Sequence, residues 1–167
     1  KTGLNAAIAD IRNYLFETAC LGISVEEFKS IVGNAMEKAC ADPTIRARMD
    51  IAFPSVLESA GCREELEQLA RLCEEGIRNA RKHSALTGLA LVIKEEPPDL
   101  VIKLTSSGQP RSGGDTGQEQ GAPGSSGGYG LKAIRHRVAS LGGYLDWRTG
   151  ESGSMLVVRL PWRDWNE

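Results

Sequence analysis

The chain has 167 residues, which suits one domain with an appendage, and its hydrophobic content of 41% supports a substantial core. A formal net charge of −2 gives no general attraction to nucleic acid or to anionic lipid. No apolar run is long enough to span a bilayer, and no signal peptide opens the chain. Because it starts at Lys1 within a predicted helix, the chain is interpreted as a fragment of a longer protein.

The cysteines are scattered along the chain and show no CxxC spacing; they are Cys20, Cys40, Cys62 and Cys73. This pattern predicts thiols in a reducing cytoplasm rather than disulfides or a metal site, with Cys73 on the apolar face of a helix.

Two helices are predicted at the start of the chain. The first carries apolar residues at alternating four- and three-residue steps, namely Leu4, Ile8, Ile11 and Leu15. Such a heptad-like seam fits a helix that packs on a partner helix across a dimer, although an ordinary surface helix fits two heptads equally well. Ser24 and Glu27 form a capping-box pattern, which predicts that a second helix begins here and ends before Pro43.

The middle of the chain predicts a strand, a long helix and two further strands. Alternating apolar residues from Ile45 to Phe53 predict a half-buried strand. The helix over 63–84 has an apolar stripe, and the runs LALVIK and LVIKLT predict strands. The buried stripe is expected to contain Leu66, Leu69, Ala70, Cys73, Ile77 and Ala80.

A helix over 131–141 and a hairpin built from YLDWR and MLVVRLPW complete the predicted elements. The helix should bury Leu131, Ile134, Val138 and Leu141. The order of elements predicts an α+β fold, a two-layer sandwich with helices on one face of a mixed sheet.

The stretch from Ser106 to Gly130 contains nine glycines and no aliphatic side chain larger than alanine. It cannot bury enough apolar surface to order itself, and by composition it could be a flexible linker. Since a β-like run precedes it and an amphipathic helix follows, it also fits a glycine-rich loop that holds phosphates at a helix start.

Four polar residues of the long helix fall on one face: Glu75, Asn79, Lys82 and His83. An amide oxygen such as that of Asn79 can ligate Mg²⁺, a carboxylate can orient a metal-bound water, and lysine can contact phosphate. On its own, this face would more often be a solvated surface with ion pairs between neighbouring turns.

Three segments together resemble the bacterial sensor histidine kinases. EEGIRNARKHS (Glu74–Ser84) looks like the N-box, GSSGGYGLKAIRHRVASLGG (Gly124–Gly143) like the second glycine box with its GxGL element, and SGSMLVVRLPW like the closing strand. The motifs follow the family's order and spacing over roughly 63–162, and they resemble most the subfamily that includes nitrate- and temperature-sensing kinases. The resemblance implies the GHKL (Bergerat) ATP-binding fold.

Carried over residue by residue, the resemblance implies that Asn79 holds Mg²⁺ and that Glu75 is the acidic catalytic residue of the N-box. Other matching positions are expected at the nucleotide: Lys82, His83, Ser106, Gly108, Gly128, Gly130, Leu131 and Ser154. The implied domains are a dimerisation-helix remnant at 1–22 and an ATP-binding domain at 23–167, with a flexible lid at 107–129.

Two departures from the family pattern are visible. In the first glycine box, D-x-G-x-G, the aspartate that binds the adenine amino group is replaced by Ser106, and the last glycine by Pro110. The phosphoacceptor histidine is also missing, because the only histidines are His83 and His136. The acceptor is therefore expected upstream of Lys1.

The resemblance implies the ATP-binding catalytic domain of a two-component sensor histidine kinase in the cytoplasm, with ATP and Mg²⁺ as cofactors. Its partners would be its own upstream phosphoacceptor helix, a response regulator and a second copy, without nucleic acid or direct membrane contact. Three alternatives stay open: a degenerate interaction module with weak or no nucleotide binding, an anti-sigma-type serine kinase, and a GHKL ATPase such as MutL, which would need a much longer chain.

Overall fold

The computed structural model describes residues 22–110 and 129–166. The seam at 4–15, most of the predicted lid and Gly128 lie outside this part of the chain. The described elements are α1 (Val25–Ala39), β1 (Arg46–Ile51), α2 (Ser55–Ser59), α3 (Glu64–His83), β2 (Ser84–Glu96), β3 (Asp99–Pro110), α4 (Tyr129–Ser140), β4 (Tyr144–Gly150), β5 (Gly153–Leu160) and a short 3₁₀ helix (Trp162–Asn166).

The strands form one five-stranded sheet in the order β1-β2-β3-β5-β4. β1 and β2 are parallel, whereas the other neighbours are antiparallel, so the sheet is mixed. Every second residue of the inner strands packs with the buried faces of α1, α3 and α4 in one core. The predicted α+β architecture is therefore confirmed.

The capping box predicted for α1 is present. The Ser24 hydroxyl accepts a hydrogen bond from the Glu27 backbone N–H, and the Glu27 carboxylate accepts one from the Ser24 N–H at 2.8 Å. These two bonds satisfy donors that the first turn of a helix leaves without intrahelical partners. The helix then buries one face, including Phe28, Val32 and Met36.

The first strand is more exposed than its alternating pattern predicts. Of the five residues expected on the buried side, Ile45 and Ile51 are half-buried, Ala47 is exposed and Met49 is 45% exposed. Only Phe53, beyond the end of β1, is buried. β1 lies at the edge of the sheet, and opposite Met49 α1 presents Gly33, which has no side chain to cover it. The predicted strand is confirmed, whereas the prediction that its whole apolar side is buried is wrong for this reason.

The long helix α3 forms the centre of the helical layer. All six residues of its predicted stripe are buried, together with Leu72 and Gly76. Its last residue, His83, is followed directly by β2 without a loop. Because Ser84 pairs with Pro110, the C-terminal end of α3 lies beside the last residues of β3.

The strand β3 extends further than predicted and includes residues 107–110. The predicted lid over 107–129 is thus wrong for its first four residues, which pair with the start of β2 across an irregularity at Leu86/Gly88. Gly108 permits this extension because its φ of +143° suits glycine, and a Cβ there would overlap the Ala85 carbonyl oxygen.

The ends of the described core are held together at Arg63. Its backbone pairs with Ile23, and its Nη1 donates a hydrogen bond of 2.8 Å to the Trp165 carbonyl oxygen. This joins the chain entering α1, the start of α3 and the C-terminal 3₁₀ helix. Within the described ranges, no helix is both long and apolar enough to cross a bilayer.

Candidate functional site

The position of the site depends on how closely α3 packs on the sheet. A Cβ built on Gly76 would lie 2.9 Å from Cδ2 of Leu104 and 3.5 Å from Cδ2 of Leu156. Glycine therefore lets the helix approach these strands more closely than alanine would. Two half-buried polar residues flank this contact: Glu75 directly precedes Gly76, and Asn79 lies about one turn after it.

Gly130, at the start of α4, lies against both of these polar side chains. A Cβ on Gly130 would overlap Oε1 of Glu75 and would lie 2.6 Å from Oδ1 and 2.7 Å from Nδ2 of Asn79. The backbone of the first turn of α4 thus comes within contact distance of one carboxylate and one amide. The sequence assigned these three residues to one site, and the structure brings them together.

The two carboxylate oxygens of Glu75 have different neighbours. Oε2 accepts a hydrogen bond of 2.7 Å from Nη1 of Arg78, whereas Oε1 lies toward Gly130. The Glu75 side chain is 19% exposed and that of Arg78 70% exposed, so the pair lies at the rim of the site. Arg78 was not among the predicted site residues, although a glutamate–arginine spacing of three on a helix is a known signal for such a pair.

A pair of serine hydroxyls lies on the helix-facing side of the sheet. Oγ of Ser106 and Oγ of Ser154 are 2.7 Å apart, and the Ser154 N–H donates to Ser106 Oγ at 3.3 Å. The two residues are cross-strand partners between β3 and β5, and they form the next pair after Leu104 and Leu156 on the same face of the sheet. Ser106 is buried and Ser154 half-buried.

The remaining predicted site residues are more dispersed. Lys82 and His83 are exposed at the end of α3, and no contact brings them to Glu75 or Asn79. Leu131 is buried and anchors the first turn of α4 in the core. Gly108 is part of β3, where its N–H donates to the Ser152 carbonyl oxygen at 3.0 Å, so its place in the sheet is structural.

Two observations on the described residues limit the chemistry of the site: one concerns the thiol of Cys73, and the other concerns metal-binding clusters. Burial, with the nearby Glu74 charge adding to it, raises the pKa of the Cys73 thiol to about 12, so this thiol is not a nucleophile at neutral pH. Within 22–110 and 129–166, no three His, Cys, Asp or Glu side chains cluster in a way that could hold a metal ion. A cation here would thus depend on a few protein oxygens and on other ligands.

His136 lies away from the site, on the exposed side of α4. It lines a groove of about 660 Å³ between the first half of α3 and the second half of α4. In this groove Nη1 of Arg137 donates a hydrogen bond of 2.7 Å to Oε1 of Gln68. Since α4 runs from Gly130 at the site toward this groove, His136 lies beyond the site residues.

Solved structures with a similar fold include catalytic domains of histidine kinases. The chain is similar to the histidine kinase domain of the Erythrobacter litoralis EL346 blue-light activated histidine kinase, with a TM-score of 0.63 and 14% identity over 83% of this chain and 64% of that one. For the nucleotide-free catalytic domain of histidine kinase ThkA, the TM-score is 0.61 at 14% identity, over 83% of this chain and 92% of that one.

Full-length ShkA in complex with AMPPNP gives a TM-score of 0.57 at 17% identity, over 84% of this chain and 30% of that protein. No protein-family model matches the sequence, and no curated protein matches it either. The fold is therefore that of histidine kinase catalytic domains, and the chain spans less than two thirds of the Erythrobacter domain and of ShkA.

Proposed function

We propose that the chain is the ATP-binding catalytic domain of a two-component sensor histidine kinase. It would transfer the γ-phosphoryl group of ATP to a histidine upstream of Lys1, from which a response regulator receives it. The observation that supports this proposal best is the convergence of Glu75 and Asn79 on Gly130, at the start of a helix that follows a glycine-rich stretch. The shared fold supports it further.

The donor groups at this point fit a Mg²⁺-bound phosphate chain. Oδ1 of Asn79 is a neutral oxygen ligand of the kind that Mg²⁺ accepts, while the cation keeps several waters. The first N–H groups of α4 lack intrahelical partners and favour an anion at the helix start. Mg·ATP, when bound, supplies the phosphoryl group and the positive charge that balances it.

In this proposal each residue has a defined task. Asn79 would hold the cation, and Gly130 would let the α4 backbone come close to it. Glu75, kept in place by Arg78, would orient a water or accept a proton at the acceptor histidine. Lys82 and His83, exposed at the end of α3, would contact phosphate or ribose from solvent.

The partners follow from the reaction. The domain would act on its own upstream phosphoacceptor helix, with 1–22 as the last part of the dimerisation helices, and the full protein would be a cytoplasmic homodimer or the cytoplasmic part of a membrane-anchored sensor. We assign it to the subfamily of nitrate- and temperature-sensing kinases on the motif pattern of the second glycine box.

The test supplies the chain with Mg·[γ-³²P]ATP and, separately, a helical segment that carries an acceptor histidine. We expect acid-labile phosphate on the added segment and none on His83 or His136. The Asn79→Ala variant should lose this transfer, whereas the exposed Asn34→Ala control on α1 should retain it. Acid-stable phosphoserine on a protein substrate would indicate the serine kinase instead, and no nucleotide binding at millimolar Mg·ATP would indicate an interaction module.

A further inference from the structure

We propose that the Ser106–Ser154 pair contacts the purine ring at C6 and can form a hydrogen bond with either an amino group or a carbonyl there. The domain would therefore bind guanine and hypoxanthine nucleotides about as well as adenine nucleotides. This inference rests on the proposed function, since it concerns the base of the nucleotide whose phosphates lie at Asn79 and Gly130.

The sheet register locates the pair relative to the phosphate end of the site. The preceding cross-strand pair, Leu104 and Leu156, contacts Gly76 of α3. Ser106 and Ser154 are the next pair on this face, roughly 7 Å closer to the end of β3 beside which α3 ends. Because α3 also runs toward this end of β3, the serine pair and Asn79 lie in the same half of the helix–sheet interface.

The hydrogen bonds of the pair can run in two directions. Either hydroxyl can donate across the 2.7 Å distance between the two oxygens, and Ser106 Oγ also accepts the Ser154 N–H. A serine hydroxyl has one proton and two lone pairs. In either direction, one O–H proton remains for an outside acceptor, and at least one lone pair remains for an outside donor.

The free O–H proton and the free lone pair together determine which bases the pair can satisfy. The amino group of adenine donates to a hydroxyl lone pair, whereas the carbonyl of guanine or hypoxanthine accepts the free O–H proton. A carboxylate at the position of Ser106 would be an acceptor only, and it would leave a carbonyl facing a negative charge. Ser106 is only 4% exposed, so an unsatisfied group there would be costly, and a pair that offers both a donor and an acceptor avoids this cost with either substituent.

The first measurement uses the wild-type chain and needs no substitution. Calorimetry with the Mg²⁺ complexes of ATP, ITP and GTP should give dissociation constants within about tenfold of one another. ITP is included because it has the C6 carbonyl without the second amino group of guanine. ATP binding that is about a hundredfold tighter than both others would overturn the inference while leaving the proposed function intact. No binding of any nucleotide would overturn both.

A matched pair of variants tests the residue itself. Ser106→Asp should favour ATP over ITP and GTP by at least about thirtyfold, because the hydroxyl donor is lost and a charge is gained. Ser107→Asp places the same charge on the next residue, which is exposed and points to the other face of β3, and should leave the three affinities in their wild-type ratio.

Ser154→Ala provides a milder variant if the buried aspartate prevents folding, which thermal unfolding will show. It leaves the Ser106 hydroxyl alone, without its partner in the reversible bond. We expect all three affinities to fall by a similar factor, about three- to tenfold, because a single hydroxyl still offers both a donor and an acceptor. Unchanged affinities in this variant would mean that the pair does not contact the base.

Discussion

Gly130 lies so close to Asn79 that a Cβ on the glycine would be 2.6 Å from the amide oxygen and 2.7 Å from the amide nitrogen. This contact joins residues of two helices, 51 positions apart in the sequence, at the point where the proposed cation and phosphates bind. It explains why a residue without a side chain stands at the start of α4, and it leads directly to the first prediction.

The Gly130→Ala variant should weaken Mg·ATP binding by about tenfold or more while leaving stability nearly unchanged. The atoms that the new methyl group meets are the ends of the Glu75 and Asn79 side chains, which can rotate away, so folding loses little and the proposed ligand geometry is lost. Calorimetry and thermal unfolding would measure both effects.

Gly33→Ala is the matched control, because this helical glycine meets only Cε of Met49 at 3.7 Å. It should stabilise α1 by roughly 0.5–1 kcal/mol and leave nucleotide binding as it is. Full Mg·ATP affinity in Gly130→Ala would contradict the assigned role of this contact.

Asn79→Ala should weaken the binding of Mg·ATP more than that of ATP without metal, because the amide acts through the cation. Titrations with Mg²⁺ and with EDTA give the two affinities, and their ratio is the relevant quantity. The exposed Asn34→Ala on α1 serves as control. Equal losses under both conditions would show that Asn79 does not bind the cation.

Gly76→Ala should destabilise the domain by about 1–3 kcal/mol, because the methyl group would be 2.9 Å from Cδ2 of Leu104 in a packed interface. This cost would appear in urea unfolding of the protein without nucleotide. The expected loss of stability is larger than for Gly130→Ala, because the new methyl group would meet a buried side chain of the core. A variant as stable as Gly33→Ala would mean that α3 does not approach the sheet this closely.

The capping box makes stability depend on pH. The backbone N–H of Ser24, and then its hydroxyl, hold the pKa of Glu27 below its ordinary value of 4.5. A carboxyl group whose pKa is lowered by folding stabilises the protein above its unfolded value, and this stabilisation is lost as the pH falls through the folded value. Glu27→Gln should thus be less stable than wild type at pH 7, and this difference should disappear at a pH well below 4.5.

Glu26→Gln is the control for this comparison, since Glu26 lies on the same exposed first turn without a part in the capping box. Urea unfolding at the two pH values measures all three proteins. A Glu27→Gln difference that persists at low pH would mean that the carboxylate charge is not what stabilises the cap.

The sequence determined most of the elements because local signals and burial agreed. The capping box at Ser24 and Glu27 located the start of α1, and every residue of the apolar stripe of α3 is buried as predicted. The N-box and the second glycine box also assigned Glu75, Asn79 and Gly130 to one site, which the structure brings together. These features depend on spacing along one helix or on motifs that occur in a fixed order.

The tertiary structure alone decided which strands lie at an edge and how far they extend. The alternating apolar pattern of β1 would look the same in a strand covered by a helix and in an exposed edge strand. The exposure of Met49 depends instead on Gly33, which belongs to a different element, α1. Residues 107–110 read as loop because they are polar, yet pairing with the start of β2 makes them strand. The bond between Ser106 and Ser154 joins residues 48 positions apart, and only the β3–β5 register could bring the two hydroxyls together.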